Sequence, residues 1–235
     1  MNSLQLYYEK YLKEVRKNSA STIGKYTRAI KRIDKILRAN GKIKETVFEV
    51  TDIYELAMLK EYLQKNAGFV KLDTTGHRMY SAALNNYYKF AIGEDFNNIS
   101  NKLDILDAEV KVSESIETIN KGYKRSSIIK VQTLEKANHL CEINNEHETF
   151  IPENSTKQYM EAHHIIPLKM QDKFKCGLDV YANVICLCPI CHRFLHYGKK
   201  KEKAITLHKI YTNRVERLEH SGITLTEDRF MDLTI

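Results

Sequence analysis

All five cysteines of this 235-residue chain lie at or beyond position 141, and most of its nine histidines crowd into the same stretch. That clustering constrains the fold more than any other feature. The cysteines are Cys141, Cys176, Cys186, Cys188 and Cys191. An odd count, in a chain whose start "MNSLQLYYEKYLKEVRKN" has no apolar leader, speaks against a disulfide framework. Cysteines mixed with histidines point instead to metal. From residue 141 to 198 the chain offers only short apolar runs broken by turn residues. A region with so few core residues gains folding energy from a bound ion.

Three features coincide there. "CPICHRFLH" gives Cys188-x2-Cys191 followed by His192 and His196. With a helix after the cysteine knuckle, the four-residue spacing puts both histidines on one face, as two ligands of one ion require. "EAHHIIP" gives Glu161, His163 and His164 in a run that reads as a strand. Neighbouring strand residues face opposite ways, so Glu161 shares a face with His163 while His164 points elsewhere. One histidine can bind an ion and the other stays free. Asn183, nine residues before His192, can hold neighbouring backbone through both ends of its amide.

The order His-His, Asn, His-x3-His, threaded through a Cys-x2-Cys knuckle, resembles the HNH endonucleases, the ββα-metal nucleases. "LCPICHRFLHYG" is especially similar to HNH domains of bacterial restriction endonucleases, including modified-cytosine-dependent ones, and the spacing resembles that of the nuclease colicins. The resemblance covers roughly residues 125–200. It implies that His163, His192 and His196 hold a catalytic divalent metal (Mg, Mn, Ni or Zn). It makes His164 the general base and Asn183 the residue that pins the loop carrying it. Glu161 falls where some relatives have a carboxylate beside the metal site, as a support for a ligand histidine or a DNA contact. Relatives commonly carry a second knuckle for a structural Zn²⁺. Here Asn144 stands where a cysteine is expected, and His147 is the best substitute, giving Cys141, His147, Cys188 and Cys191. Four such ligands suit tetrahedral zinc. Cys186 is an alternative ligand, and Cys176 has no assignment. Arg193, Lys199, Lys200 and Lys201 read either as phosphate contacts beside the cut or as a solvated helix end.

The rest of the chain is helical in pattern. "LQLYYEKYLKEVRKN" and "IGKYTRAIKRIDKILRANG" carry apolar stripes at helical spacing, and Lys25, Arg28, Lys31, Arg32, Lys35 and Arg38 fill the other face of the second. "TVFEV" reads as a short strand. "TDIYELAMLKEYLQKN" and "TTGHRMYSAALNNYYKFAIG" read as two more helices. The segment "YLKEVRKNSASTIGKYTRAIKRI", with Ser19 or Ser21, Thr22 and Tyr26, resembles the helical core-binding domain of tyrosine recombinases. Residues 1–100 hold 17 Lys/Arg against 11 Asp/Glu, residues 101–235 hold 20 against 19, so the positive excess sits in the first half. A basic half suits a polyanionic partner.

The expected architecture is α+β. A helical domain at residues 1–96 binds DNA or dimerises. A polar linker spans 97–122, and an HNH domain with a zinc knuckle and a C-terminal helix spans 123–235. The expected activity is hydrolysis of double-stranded DNA in restriction or phage defence, with a homodimer as one route to a double-strand break. A homing, mobile-element or toxin nuclease is the alternative enzyme, and a non-catalytic zinc DNA-binding module the alternative outside enzymes. No stretch approaches the length of a membrane span, so the chain reads as cytoplasmic with no membrane partner.

Overall fold

The computed structural model describes residues 2–98, 107–112, 115–116, 122–123 and 125–235. The chain divides into two compact units, Met1–Glu94 and Asp95–Ile235. Most of the expected linker at 97–122 lies outside the described residues. Its described part does not run free: Asp107 and Val110 are buried, and Gly177 N–H donates to Val110 O at 2.7 Å, within the second unit.

The first unit is helical. Helix α1 (Ser3–Lys10) continues through a π-turn at Tyr11–Val15 and is followed by α2 (Ala20–Ala39), α3 (Ile53–Lys65), α4 (Ala67–Thr75) and α5 (Met79–Ala91). Leu4, Tyr7, Tyr8, Tyr11 and Leu12 are buried, as their spacing demands. The tyrosines build an aromatic core in which Tyr8 and Phe48 meet Tyr87 edge-on at 5.1 and 5.0 Å. Ser19 caps α2 by accepting from Thr22 N–H. The helix buries Ile30, Ile33 and Leu37 and exposes Lys25, Arg28, Lys31, Arg32, Lys35 and Arg38.

Two local expectations change. "TVFEV" is a 3₁₀ turn, Val47–Glu49, not a strand. Asp34, buried on α2, takes Val47 N–H at 2.9 Å and the Thr46 hydroxyl at 2.8 Å, so the segment's polar groups close on a side chain instead of a strand partner. "TTGHRMYSAALNNYYKFAIG" is not one helix. Helix α4 ends at Thr75, His77 and Arg78 take positive φ, and α5 starts at Met79. A Cβ at Gly76 would lie 2.5 Å from the Tyr80 ring, so a larger residue there would displace that ring.

The second unit contains a short ladder of β1 (Ser115–Ile116) with β2 (Gly122–Tyr123). Helix α6 (Ser127–Lys136) packs on the antiparallel pair β3 (Glu161–His164) and β4 (Val184–Leu187). The register places Glu161 opposite Leu187 and His164 opposite Val184. Helix α7 (Pro189–Tyr197) follows β4 directly, completing a ββα unit. Helix α8 (Lys200–His220) and a further short helix, α9 (Glu227–Thr234), close the chain. Among the described residues no helix is long and apolar enough to cross a membrane.

Candidate metal centres and active site

Helix α7 starts at a sequence-encoded stop. Cys188 is its N-cap, its thiol accepting Cys191 N–H at 3.4 Å, and Pro189 sits in the first turn where no N–H is needed. It ends at Gly198, where a Cβ would lie 2.7 Å from Phe194 O. Within this nine-residue helix His192 and His196 project from one face toward His163 of β3. The ring centroids of the three imidazoles stand 4.8 to 4.9 Å apart, each pair edge-on. Their candidate ligand nitrogens all fall within 4.8 Å of one another.

The three rings are suited to holding a cation. His192 Nε2 and His196 Nε2 approach to 3.3 Å. Burial pushes the His163 imidazole down to about 3, and neighbouring His192 and His196 push the same way. Burial also lowers His196, with His192 next. Neutral rings keep their lone pairs available for an ion. Glu161, on the strand face of His163, accepts a hydrogen bond from His192 Nδ1, which leaves His192 Nε2 facing the cluster. Its other oxygen accepts from the Tyr159 hydroxyl at 3.1 Å. Burial works to raise the Glu161 carboxyl, but the bonds from His192 and Tyr159 outweigh it and hold the group below its ordinary value.

His164 is turned away from this cluster. Its Nε2 lies 2.8 Å from Asp179 Oδ1. Asp179 Oδ2 in turn accepts Ser126 N–H at 2.7 Å, at the N-cap of α6. No spacing rule pointed to Asp179, which lies fifteen residues downstream of His164 in irregular backbone. Asn183 is fully buried. Its Oδ1 accepts Ile166 N–H at 2.8 Å, and its Nδ2 donates to Ile166 O and Leu178 O, both at 2.9 Å. Asn183 O also accepts Ile165 N–H, so the chain immediately after His164 is tied to the turn before β4.

A second cluster gathers Cys141, His147, Cys188 and Cys191, with ligand atoms within 4.8 Å of one another. His147 Nδ1 lies 3.5 Å from Cys188 Sγ and 3.3 Å from Cys191 Sγ. Burial raises the Cys141 thiol, yet N–H groups of Cys188, Asn144 and Ile143 outweigh it and bring it down to about 7. Three soft sulfurs and one imidazole are a zinc-type donor set. Cys186 and Cys176 stay outside it. Cys176 donates to Gly222 O, and burial raises the Cys186 thiol.

Two residues that sequence reasoning missed, Glu142 and the buried Arg214, hold these parts together. Glu142 takes Cys186 N–H at 2.6 Å and returns its own N–H to Cys186 O, docking the Cys141 loop on β4. Arg214 of α8 donates to Ala182 O, Val184 O and Tyr181 O at 2.9, 3.0 and 3.4 Å, and to Glu142 at 2.6 Å. One guanidinium thus closes the carbonyls flanking Asn183. Arg193, Lys199, Lys200 and Lys201 are exposed on α7 and the start of α8, with Lys199 4.0 Å from Glu202.

Comparison with known proteins adds an independent line. Residues 6–95 match the phage integrase N-terminal SAM-like domain, in keeping with the recombinase resemblance of that segment. Residues 139–199 match the HNH endonuclease family. Over 102 residues the chain is 32% identical to a type IV methyl-directed restriction enzyme, EcoKMcrA, of Escherichia coli (strain K12). That match covers 43% of this chain and 35% of the relative, so the chain spans about a third of the relative's length. Behind a helical SAM-like unit, the chain therefore carries a domain of the HNH endonuclease family.

Proposed function

We propose that the protein is a metal-dependent endonuclease that hydrolyses phosphodiester bonds of double-stranded DNA, acting in restriction or phage defence. The observation that carries this is the division of two adjacent histidines: His163 joins His192 and His196, while His164 is held apart. A histidine bound to an ion has no lone pair to offer a proton, so a site needing both roles must separate them.

On this reading His163, His192 and His196 hold the catalytic ion, which when bound supplies positive charge to the phosphate and the leaving oxygen. Three imidazoles suit Mn²⁺, Ni²⁺ or Zn²⁺ more naturally than Mg²⁺. His164 takes the proton of the attacking water. Asn183 keeps the backbone after His164 in register, and Glu161 orients His192. Cys141, His147, Cys188 and Cys191 hold a structural Zn²⁺. Arg193 and Lys199–Lys201 contact phosphates beside the cut. The exposed basic face of α2 supports the SAM-like unit as the part that grips the duplex backbone. Residues 97–122 lead from this unit into the nuclease domain at 123–235, with Asp107 and Val110 packed as part of the second compact unit. One site cuts one strand, so a double-strand break takes two copies or two successive nicks.

The test is cleavage of methylated and unmethylated plasmid with each divalent ion in turn, following nicked and linear products and sequencing the ends. Metal-dependent cuts with 5′-phosphate ends, abolished by His164→Ala, are expected. Cleavage that survives His164→Ala unchanged would overturn the mechanism. A wild-type protein that binds DNA but cuts under no ion would make it a zinc DNA-binding module.

A further inference from the structure

We infer that Asp179 is a positioning residue for the general base, fixing the His164 ring in the one tautomer that can accept a proton from water; this rests on the endonuclease reading above. An ionised carboxylate can only accept hydrogen bonds. With Asp179 Oδ1 2.8 Å from His164 Nε2, the ring hydrogen sits on Nε2 and the lone pair on Nδ1. No hydrogen bond reaches Nδ1 among the described residues. The carboxylate itself has little freedom. Its second oxygen is committed to Ser126 N–H at 2.7 Å, where α6 begins. The pair is mostly shielded, with side chains 18% and 15% exposed.

The proton balance follows. Water oxygen bonds to phosphorus, its proton passes to Nδ1, and the P–O3′ bond breaks with its electron pair going to O3′, which solvent protonates. The hydrogen on Nε2 stays where it is, and the positive ring that results lies against the Asp179 carboxylate. The carboxylate thus both selects the tautomer and offsets the charge that forms on His164.

The hydrogen-bond inventory makes the test unusually selective. Ser126 N–H needs an oxygen. In Asp179→Asn the amide oxygen satisfies Ser126, so the amide nitrogen faces His164 Nε2 and donates to it. The ring hydrogen is then driven to Nδ1, and the base is lost. Asp179→Ala imposes no tautomer. A purely structural role ranks the near-isosteric Asn above Ala; tautomer control ranks it below. The expected result is a kcat loss for Asp179→Asn of about 100-fold or more, the range of general-base contributions. Asp179→Ala should lose less, with KM for DNA unchanged in both.

A second readout needs no metal and no turnover. Long-range proton–nitrogen correlation of the His164 ring, assigned with His164→Gln, is recorded on the full-length protein at mildly alkaline pH. Wild type is expected to show hydrogen on Nε2, Asp179→Asn on Nδ1, and Asp179→Ala a mixture. Asp179→Asn as active as Asp179→Ala, or a ring with hydrogen on Nε2 in all three proteins, overturns the inference and leaves the endonuclease reading intact. If wild type cuts nothing, that reading fails, and the nitrogen spectra alone decide whether Asp179 sets the tautomer.

Discussion

Replacing Asn183 tests whether the site is held by one buried amide. The side chain is fully buried and makes three hydrogen bonds to backbone, two to Ile166 in the turn that follows β3 and one to Leu178 ahead of β4. Asn183→Ala orphans Ile166 N–H, Ile166 O and Leu178 O at once. A net hydrogen bond is worth about 1 kcal/mol, and an orphaned buried group costs about 1–3 kcal/mol, so three partners sum to roughly 3–5 kcal/mol. For a unit of this size that is a fall in Tm of about 10 °C or more. Asn183→Asp is the sharper variant. It keeps the acceptor for Ile166 N–H and turns the donor into a second acceptor against two carbonyls 2.9 Å away. At neutral pH it should be at least as damaging as alanine. Protonating the new carboxyl restores one donor, so its deficit should shrink as pH falls through the raised folded pKa of a buried acid. The assay is urea unfolding followed by circular dichroism at several pH values, with m checked for constancy, alongside cleavage well below the melting range. A loss in Asn183→Ala no larger than one ordinary hydrogen bond, about 1 kcal/mol, would refute the idea that this amide holds the turn.

Further outcomes follow from neighbouring groups. Glu161→Gln keeps the shape and removes the charge behind His192, so divalent-ion affinity of the imidazole cluster should weaken about 10- to 100-fold by calorimetric titration; unchanged affinity would show that the carboxylate does not tune the ring. Cys188→Ser should release zinc, measured by a chromogenic chelator, and lower the melting temperature, whereas His163→Ala should leave that zinc in place. Lys136 is held down to about 8, by burial first and by Arg217 next. A lysine depressed on folding costs stability once protonated, so stability should fall as pH drops from about 10.5 through 8. Lys136→Met should flatten that slope and gain about 2 kcal/mol near neutral pH, a modest figure because solvent still reaches the chain; an unaltered pH–stability curve would show that Lys136 is not its source.

What the sequence reveals about the site depends on whether the chemistry is local. His192 and His196 are legible because a helix turns a spacing of four into a shared face, and Glu161, His163 and His164 because a strand alternates. His147 is legible as the substitute at a broken knuckle, since ligand types are few. Asp179, Glu142 and Arg214 carry no such signal. Each acts across irregular backbone or from a distant helix, and an aspartate in "GLDVY" looks like any turn residue. In the fold, the helical stripes of α1 and α2 are plain because apolar periodicity is strong. "TVFEV" reads as a strand because its β-branched composition is real; what overrides it is a buried carboxylate twelve residues earlier, at Asp34. The break at residues 76–78 is hidden because flanking periodicity continues on both sides; it shows in the positive φ of His77 and Arg78 and in the buried Asp73 carboxylate that takes Ser81 N–H at the start of α5.

The reach of Arg214 bears on how the HNH-type domain can be moved between proteins. The family match ends at residue 199, and both Cys/His clusters, the proposed base His164, Asp179 and Asn183 lie before that point. A cassette cut there would carry all of the proposed site and none of the guanidinium that satisfies the carbonyls of residues 181, 182 and 184. Nor would it carry Arg217, whose forked pairing with buried Asp107 draws in chain from the opposite end of the unit. The portable module is therefore larger than the recognisable one. A graft needs the long helix after the knuckle, together with the short segment near residue 107, to arrive folded.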